Sequence, residues 1–405
     1  MNMGYTTKKL QDVLTDMHSG GTPSTENPEY WNGELKWLSS GETSQRFITD
    51  TIERITPLGV RESSTKLAHK YNVVMASAGQ GKTRGQVSYL LDDMYVNQSV
   101  IVMEPDENQL LPLYLFYNLS DRYEELRGGS DASSTRGSIT TTALKRLSIS
   151  FPDLDSQRKI CDLLYRYDSL ININNRKIQI IENLRDELYK EWFVRMRFPG
   201  WEHAKFVDGI PIEWTIDRVG AFYSTRSGGT PSREKPEYFT NGTCPWVKTG
   251  EINDSILIDA EEWITEEAIN NSSAKILPEK SVVMAMYGVN IGQLAYFDKP
   301  MACNQACCVF RDKRPFTSRH YLFSYMKSIR DYLLLIGFGA AQQNLSQDLI
   351  KRVKMIMPSD NIVMKFEACV EPYYAELKVL IEMNRNLKIQ RDYLAPRLIR
   401  GELKI

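Results

Sequence analysis

Two stretches of the chain place apolar residues at alternating steps of four and three. In the first, Ile160, Leu164, Tyr167, Ile171, Asn174, Ile178, Ile181 and Leu188 follow this rule, with one heptad passing through Arg185. In the second, Phe366, Val370, Tyr373, Leu377, Leu380, Asn384, Leu387, Leu394 and Leu398 mark the stripe. Lys, Arg, Glu and Asp fill most positions between them. The stripe is therefore two residues wide, which predicts the a/d seam of a coiled coil rather than the broader face of an ordinary core helix. Forty helical residues span ~60 Å. Pro372 falls inside the second pattern and predicts a kink or the true start of that helix, because proline removes a helical hydrogen bond.

Each seam contains one asparagine, at a different place in its repeat. In an antiparallel pair the facing residue numbers have a constant sum. The sum that puts Asn174 opposite Asn384 also sets Ile160 against Leu398, Leu164 against Leu394 and Ile171 against Leu387. It sets Ile178 against Leu380, Ile181 against Leu377 and Leu188 against Val370. Two buried amides satisfy each other and fix the register.

The residues outside the seams have a different texture. Short β-rich runs such as Tyr71 to Ala76, Val87 to Leu91, Ser99 to Met103, Ser281 to Met286 and Cys307 to Arg311 are separated by Gly-rich breaks. These segments are duplicated. The run Ser-Gly-Gly-Thr-Pro-Ser occurs at 19–24 and 227–232, and Pro-Glu-Tyr at 28–30 and 236–238. Trp37 with Gly41-Glu42 returns as Trp246 with Gly250-Glu251. Val73 to Ala76 returns as Val282 to Ala285, Asn97-Gln98 as Asn304-Gln305, and Arg185-Asp186 as Arg391-Asp392. The matches are collinear, and each copy is far longer than a solenoid repeat of 20–50 residues. The pattern predicts an α+β fold: two duplicated globular modules separated by two long helices that form an antiparallel coiled coil. The boundaries read as 1–152 for the first module and 153–199 for the central helix, then 200–358 for the second module and 359–405 for the C-terminal helix.

Composition excludes several classes. The chain has 405 residues, 42% of them hydrophobic and 25% charged, ordinary values for a soluble globular protein. No apolar stretch is long enough to predict a transmembrane helix, and polar Met1 to Leu10 does not fit a signal peptide. Six cysteines without regular spacing fit a reduced, cytoplasmic setting. The net charge of −1 means that any nucleic-acid surface must be local.

Four motifs invite chemistry and do not sustain it. Residues 76–83 match a relaxed P-loop, so an ATPase is one rival reading. A P-loop needs its Lys-Thr to open a helix, whereas Arg84 to Leu90 reads as turn then strand. The second copy, Met286 to Gly292, has no Lys-Thr. Asn27-Pro28-Glu29-Tyr30 resembles an adenine-methyltransferase motif, but Lys235 replaces the Asn in the second copy. Cys303, Cys307 and Cys308 lack a histidine partner and read as core residues rather than a zinc site. The Glu-x-Lys triplets at 34–36, 376–378 and 402–404 are too common in charged surfaces to indicate a nuclease. No metal site and no catalytic residue is expected.

The order of module, helix, module and helix, with these markers, resembles the specificity subunits of type I restriction-modification enzymes along the whole chain. Further markers are Lys190 to Val194 closing the first helix and Arg391 to Leu403 at the end of the second. The resemblance implies two target-recognition domains, each reading one half of a bipartite site in double-stranded DNA. It implies that the helices set the unread gap and dock two modification (methyltransferase) subunits, which bind S-adenosylmethionine and methylate adenine N6. Restriction/motor subunits with ATP and Mg would add cleavage. The specificity subunit itself carries out no chemistry. The other rival is a protein scaffold that does not bind DNA.

Under this resemblance the candidate DNA contacts lie in two pairs of loops. The first pair supplies Gln80, Lys82, Thr83, Arg84, Ser134 and Arg136. The second supplies Tyr287, Asn290, Gln293, Gln342, Gln343 and Asn344. Arg, Lys, Gln and Asn are suited to base edges and phosphates. Arg314 and Arg319 are added because residues 304–358 hold nine basic against three acidic residues. Asn97-Gln98 and Asn304-Gln305, common to both copies, are expected to be structural.

Overall fold

The computed structural model describes residues 4–79, 81–131, 137–337 and 344–404. The chain divides into two compact units, Met1–Leu170 with Leu387–Ile405, and Ile171–Asn386.

In the first unit, strands β1 (Leu14–Ser19), β2 (Phe47–Ile48), β3 (Val73–Ala76), β4 (Val87–Leu90) and β5 (Val100–Pro105) form a sheet in the order β1-β5-β3-β4-β2. β5 runs antiparallel to β1 and β3, β3 antiparallel to β4, and β2 parallel to β4. Val73 to Ala76 is an unbroken apolar run because both faces of the sheet are covered. Val73 and Met75 join a core with the helix Pro112–Asp121, while Val74 joins Leu38, Ala68, Met94 and Val96 on the other side. Those four lie in a second sheet made of Glu53–Ile55, Trp31–Leu38, Met94–Val96 and Lys66–Ala68.

The second unit repeats this topology. β6 (Tyr223–Ser227), β7 (Ser255–Leu257), β8 (Val282–Ala285), β9 (Leu294–Phe297) and β10 (Cys307–Asp312) follow the order β6-β10-β8-β9-β7. The accompanying sheet has strands Glu262–Ile264, Cys244–Val247 and Ala302–Cys303, with a Leu277–Met301 bridge at the place in the repeat of Lys66–Ala68. Cys303, Cys307 and Cys308 are fully buried, as core cysteines.

The duplicated markers hold the scaffold together. The Trp37 indole donates to Gly21 O at 3.3 Å, and the Trp246 indole to Gly229 O at 2.9 Å. Asn97 Oδ1 accepts from Ser99 N–H at 2.9 Å, and Asn304 Oδ1 from Ala306 N–H at 3.1 Å. The glycine ahead of each indole acceptor has no room for a side chain. A Cβ on Gly20 would sit 1.9 Å from Val96 O, and one on Gly228 would sit 2.0 Å from Cys303 O.

Two long helices, α1 (Leu154–Tyr189, 36 residues) and α2 (Asp360–Ile399, 40 residues), carry the seams. α1 belongs to the first unit up to Leu170 and to the second from Ile171; α2 belongs to the second up to Asn386 and to the first from Leu387. Pro372 does not start α2, which begins at Asp360. Buried Val363, Phe366 and Val370 hold the preceding turns against a proline cost of about 3 kcal/mol.

Within the first unit, Ile160, Leu164 and Leu398 share one core with partly buried Leu394 against it. Within the second, Val370 and Leu377 share a core with Ile178, Ile181 and Leu188. Ile171 and Leu380 are buried, and Leu387 is half-buried. Asn174 Nδ2 donates to Asn384 Oδ1 at 2.9 Å, so the two amides do meet. Asn384 Nδ2 donates in turn to Asn175 Oδ1 at 2.8 Å.

Besides the asparagines, the seam positions lacking an apolar residue hold arginines. Arg391 is buried against Asp168, which also receives Tyr117 Oη at 2.8 Å and Arg46 Nε at 3.2 Å. A buried guanidinium is tolerable only when paired in this way. Arg185 lies over the Phe323 ring at 4.7 Å and pairs with Asp186 at 3.0 Å. Beyond α1 the chain makes a π-helical turn, Lys190–Val194, whose Phe193 packs edge-on to Tyr321 at 4.8 Å and Phe366 at 4.9 Å. Among the described residues no helix is long and apolar enough to cross a membrane.

Candidate nucleic-acid interface

Residues 77–86 connect β3 to antiparallel β4, and residues 286–293 connect β8 to antiparallel β9. The rival P-loop reading of 76–83 finds no support, and the expected turn and strand are present. Lys82 and Thr83 lie in a hairpin turn, and among the described residues no helix begins there to hold a phosphate.

The two hairpins have one framework. Ala76 N–H donates to Gln86 O at 3.0 Å and Gly85 N–H to Ala76 O at 2.9 Å. In the second unit Ala285 N–H donates to Gln293 O at 2.9 Å and Gly292 N–H to Ala285 O at 2.8 Å. The inner turn closes through Gln86 N–H to Thr83 O at 3.1 Å and Gln293 N–H to Asn290 O at 2.9 Å. Gly81 and Gly288, with φ of 61° and 84°, sit at the same point of the turn in the left-handed region that favours glycine.

Each hairpin is joined to the chain just beyond the second candidate loop of its own unit. Ile139 N–H donates to Ser77 O at 2.8 Å, and Leu345 N–H to Met286 O at 3.0 Å. Side chains brace the join. Tyr123 Oη donates to Lys82 O at 2.9 Å and receives Arg127 at 2.8 Å, and Arg330 Nε donates to Gly292 O at 2.9 Å. Tyr123 and Arg330 occupy the same place in the repeat, and sequence reasoning passed over both. Their signal was only that each opens the helical stretch leading to the second loop.

The candidate side chains divide into three groups. Lys82 and Tyr287 are exposed, and Lys82 has no ion-pair partner among the described residues. Asn344 is exposed as well. Others face the protein. Arg84 reaches Gly137 O, and Thr83 lies against Gly79. Asn290 Nδ2 faces the carbonyls of Gly250 and Ile252 at 2.9 Å each and that of Thr249 at 3.4 Å, so its donors are spent on the 249–252 turn. Gln293 is half-buried. Gln80, Ser134, Arg136, Gln342 and Gln343 lie outside the described residues.

Five of the nine cations in the basic run 304–358 are taken up by carboxylates. Arg314 pairs with Asp312 at 3.2 Å and lies over Phe316; Arg319 pairs with Glu371, Lys327 with Asp186, and Arg330 with Asp254. Of the run's cations, Arg311, Lys313, Arg352 and Lys354 form no ion pair among the described residues. Arg314 and Arg319 are thus part of the second module's interior. A charge tally along the chain cannot see partners brought in from elsewhere.

Arg319 borders a buried polar cluster. Glu367 accepts the backbone N–H groups of His320 and Tyr321, both at 2.9 Å, at the start of the helix Arg319–Ser328. Burial pushes the Glu367 carboxyl up to about 8. His320 Nε2 lies 3.0 Å from Glu371 and Nδ1 lies 3.1 Å from Tyr296 Oη. Burial pushes this imidazole down to about 4, against the opposing pull of Glu371. The neutral ring donates to the carboxylate and accepts from the phenol. These contacts tie α2 to the second module and look structural.

The arrangement is one hairpin framework built twice, braced alike and furnished with different side chains. The chain belongs to the type I restriction modification DNA specificity domain family, whose model matches residues 2–183 and 211–378. It is 25% identical to the type I restriction enzyme MjaIX specificity subunit of Methanocaldococcus jannaschii, over 98% of this chain and 93% of that one. It is 24% identical to the HindI specificity subunit of Haemophilus influenzae, over 77% and 82% of the two chains. The crystal structure of a type I restriction-modification S subunit from M. genitalium shares the fold, with a TM-score of 0.62, 16% identity and coverage of 98% and 96%.

Proposed function

We propose that this chain is the non-catalytic DNA-recognition subunit of a type I restriction-modification assembly. The observation that carries this reading is the pair of hairpins, which share their hydrogen bonds and glycines but differ in the side chains they expose. Two readers of one design with unlike fingertips suit a target made of two unlike halves. Residues 1–152 read one half of the site in double-stranded DNA and residues 200–358 read the other. The helical segments 153–199 and 359–405 set the unread gap. At 1.5 Å per residue they reach ~55–60 Å, ample to space two sites a DNA turn of ~34–36 Å apart.

The same helices dock two modification subunits, which hold S-adenosylmethionine and methylate adenine. A second apolar stripe on α1, Ile173, Ile180 and Leu184, exposed by 49%, 58% and 50%, supports a helical partner there. Restriction, with ATP and Mg, belongs to a motor subunit. The assembly works in the cytoplasm.

The test is an adenine-methylation map of DNA from cells carrying this chain and its modification subunit. A single split motif with a fixed gap is expected. Replacing residues 200–358 with the matching module of a relative should change one half only; a change in both halves would refute the modular reading.

A further inference from the structure

The inference concerns one position and rests on the DNA-reading role proposed above. Within the turns Gly81 to Gln86 and Gly288 to Gln293, every other non-glycine residue is at least half-buried, leaving one exposed side chain in each. In the first unit it is Lys82; in the second it is Val289, which is 95% exposed. Both follow the glycine in the left-handed region, at the same point of the turn.

Their neighbours point the other way. Asn290 is held by the 249–252 turn, and Ile291 packs against the second module's core. Arg84 is held by Gly137 O. An isopropyl group kept in water at the tip of a braced turn contributes nothing to folding, since burial is what rewards apolar surface.

We propose that this tip is a base-reading position and that Val289 reads the C5 methyl of a thymine in the major groove. The thymine methyl is the apolar group that base pairs offer on that edge. Lys82, at the same tip in the first unit, takes the acceptor pair of a guanine. One framework thus yields two unlike preferences by exchanging one side chain.

The test uses the full chain assembled with its modification subunit, after the methylated motif has been established. Duplexes carry deoxyuridine in place of thymine, one position at a time, across both halves. Wild type should bind about fourfold more weakly at one second-half position, the effect of one methyl contact. Val289→Ala should lose that sensitivity, Val289→Thr should keep part of it, and Lys82→Val should leave it unchanged. A split motif with no deoxyuridine effect in the second half would overturn the assignment, as would full sensitivity retained in Val289→Ala. Absence of any split motif would instead overturn the DNA-reading role itself, which separates the two failures.

Discussion

Replacing the seam asparagines tests whether their contact sets the pairing of α1 with α2. Asn174→Leu removes the 2.9 Å bond and strands Asn384 Oδ1 in a buried position, at a cost of about 1–3 kcal/mol. Asn384→Leu strands Asn174 Nδ2 and also deletes the donation to Asn175. Asn175 is exposed and rehydrates, so this second loss adds only about 0.5–1 kcal/mol. Asn384→Leu is therefore the costlier single change. The double variant strands neither amide and places two leucines in an apolar seam, so its stability should return close to wild type or exceed it. Urea denaturation of all four proteins, followed by helical circular dichroism, gives the cycle. A coupling of about 2 kcal/mol, with the double variant more stable than either single, is expected. Costs that simply add would refute the idea that the amides satisfy one another. The double variant should also lose the polar device that singles out one register.

Two further outcomes follow from the second unit. Gly228→Ala forces a Cβ against the carbonyls of Cys303 and Asn304 and should lower stability by about 1–3 kcal/mol or more. Gly250→Ala, whose Cβ meets nothing within 4 Å, should leave the melting temperature unchanged; equal effects would contradict the packing account. His320 is held near 4 by burial, against an ordinary 6.5. Its contribution is complete above pH 6.5 and lost as pH falls through 4, about 3 kcal/mol in all. Arg319 and Arg185 oppose its protonation while Glu371 favours it. The stability gap between wild type and His320→Gln should shrink across that window. Glu367, raised to about 8, has the opposite sign, since its contribution is lost as pH rises through 8. It is present in both proteins and cancels in the difference, so parallel curves would refute the assignment to His320.

The seams were legible because a period of three and four constrains every position at once, and the asparagines supplied the register. The duplication was legible because residues such as Trp37, Gly20 and Asn97 make contacts that any copy of the framework needs. The candidate site was only half legible. Both loops of each pair stood out by composition. The joining of each hairpin to Ile139 or Leu345, just beyond the second loop, depends on a fold in which neighbours in space are remote in sequence. Arg314 and Arg319 looked available because Asp312 and Glu371 come to them only in the folded chain. Val289 carries no polar group that would mark it in the sequence, whereas its exposure in the fold does.

The first unit is completed by residues Leu387–Ile405, with Leu398 and Ile399 in its core. Tyr5 Oη donates to Leu398 O at 3.0 Å, and Arg391 pairs with Asp168. During synthesis the first module therefore leaves the ribosome early but waits for more than half the chain before its last helical turns arrive. Until then the core around Ile160 and Leu164 lacks Leu398 and Ile399, and Asp168 has Arg46 and Tyr117 but not Arg391. Nascent chains in that state are exposed to proteases and holding chaperones. A chain broken off within the second module would also carry an incomplete first one, so quality control is shared between the two modules.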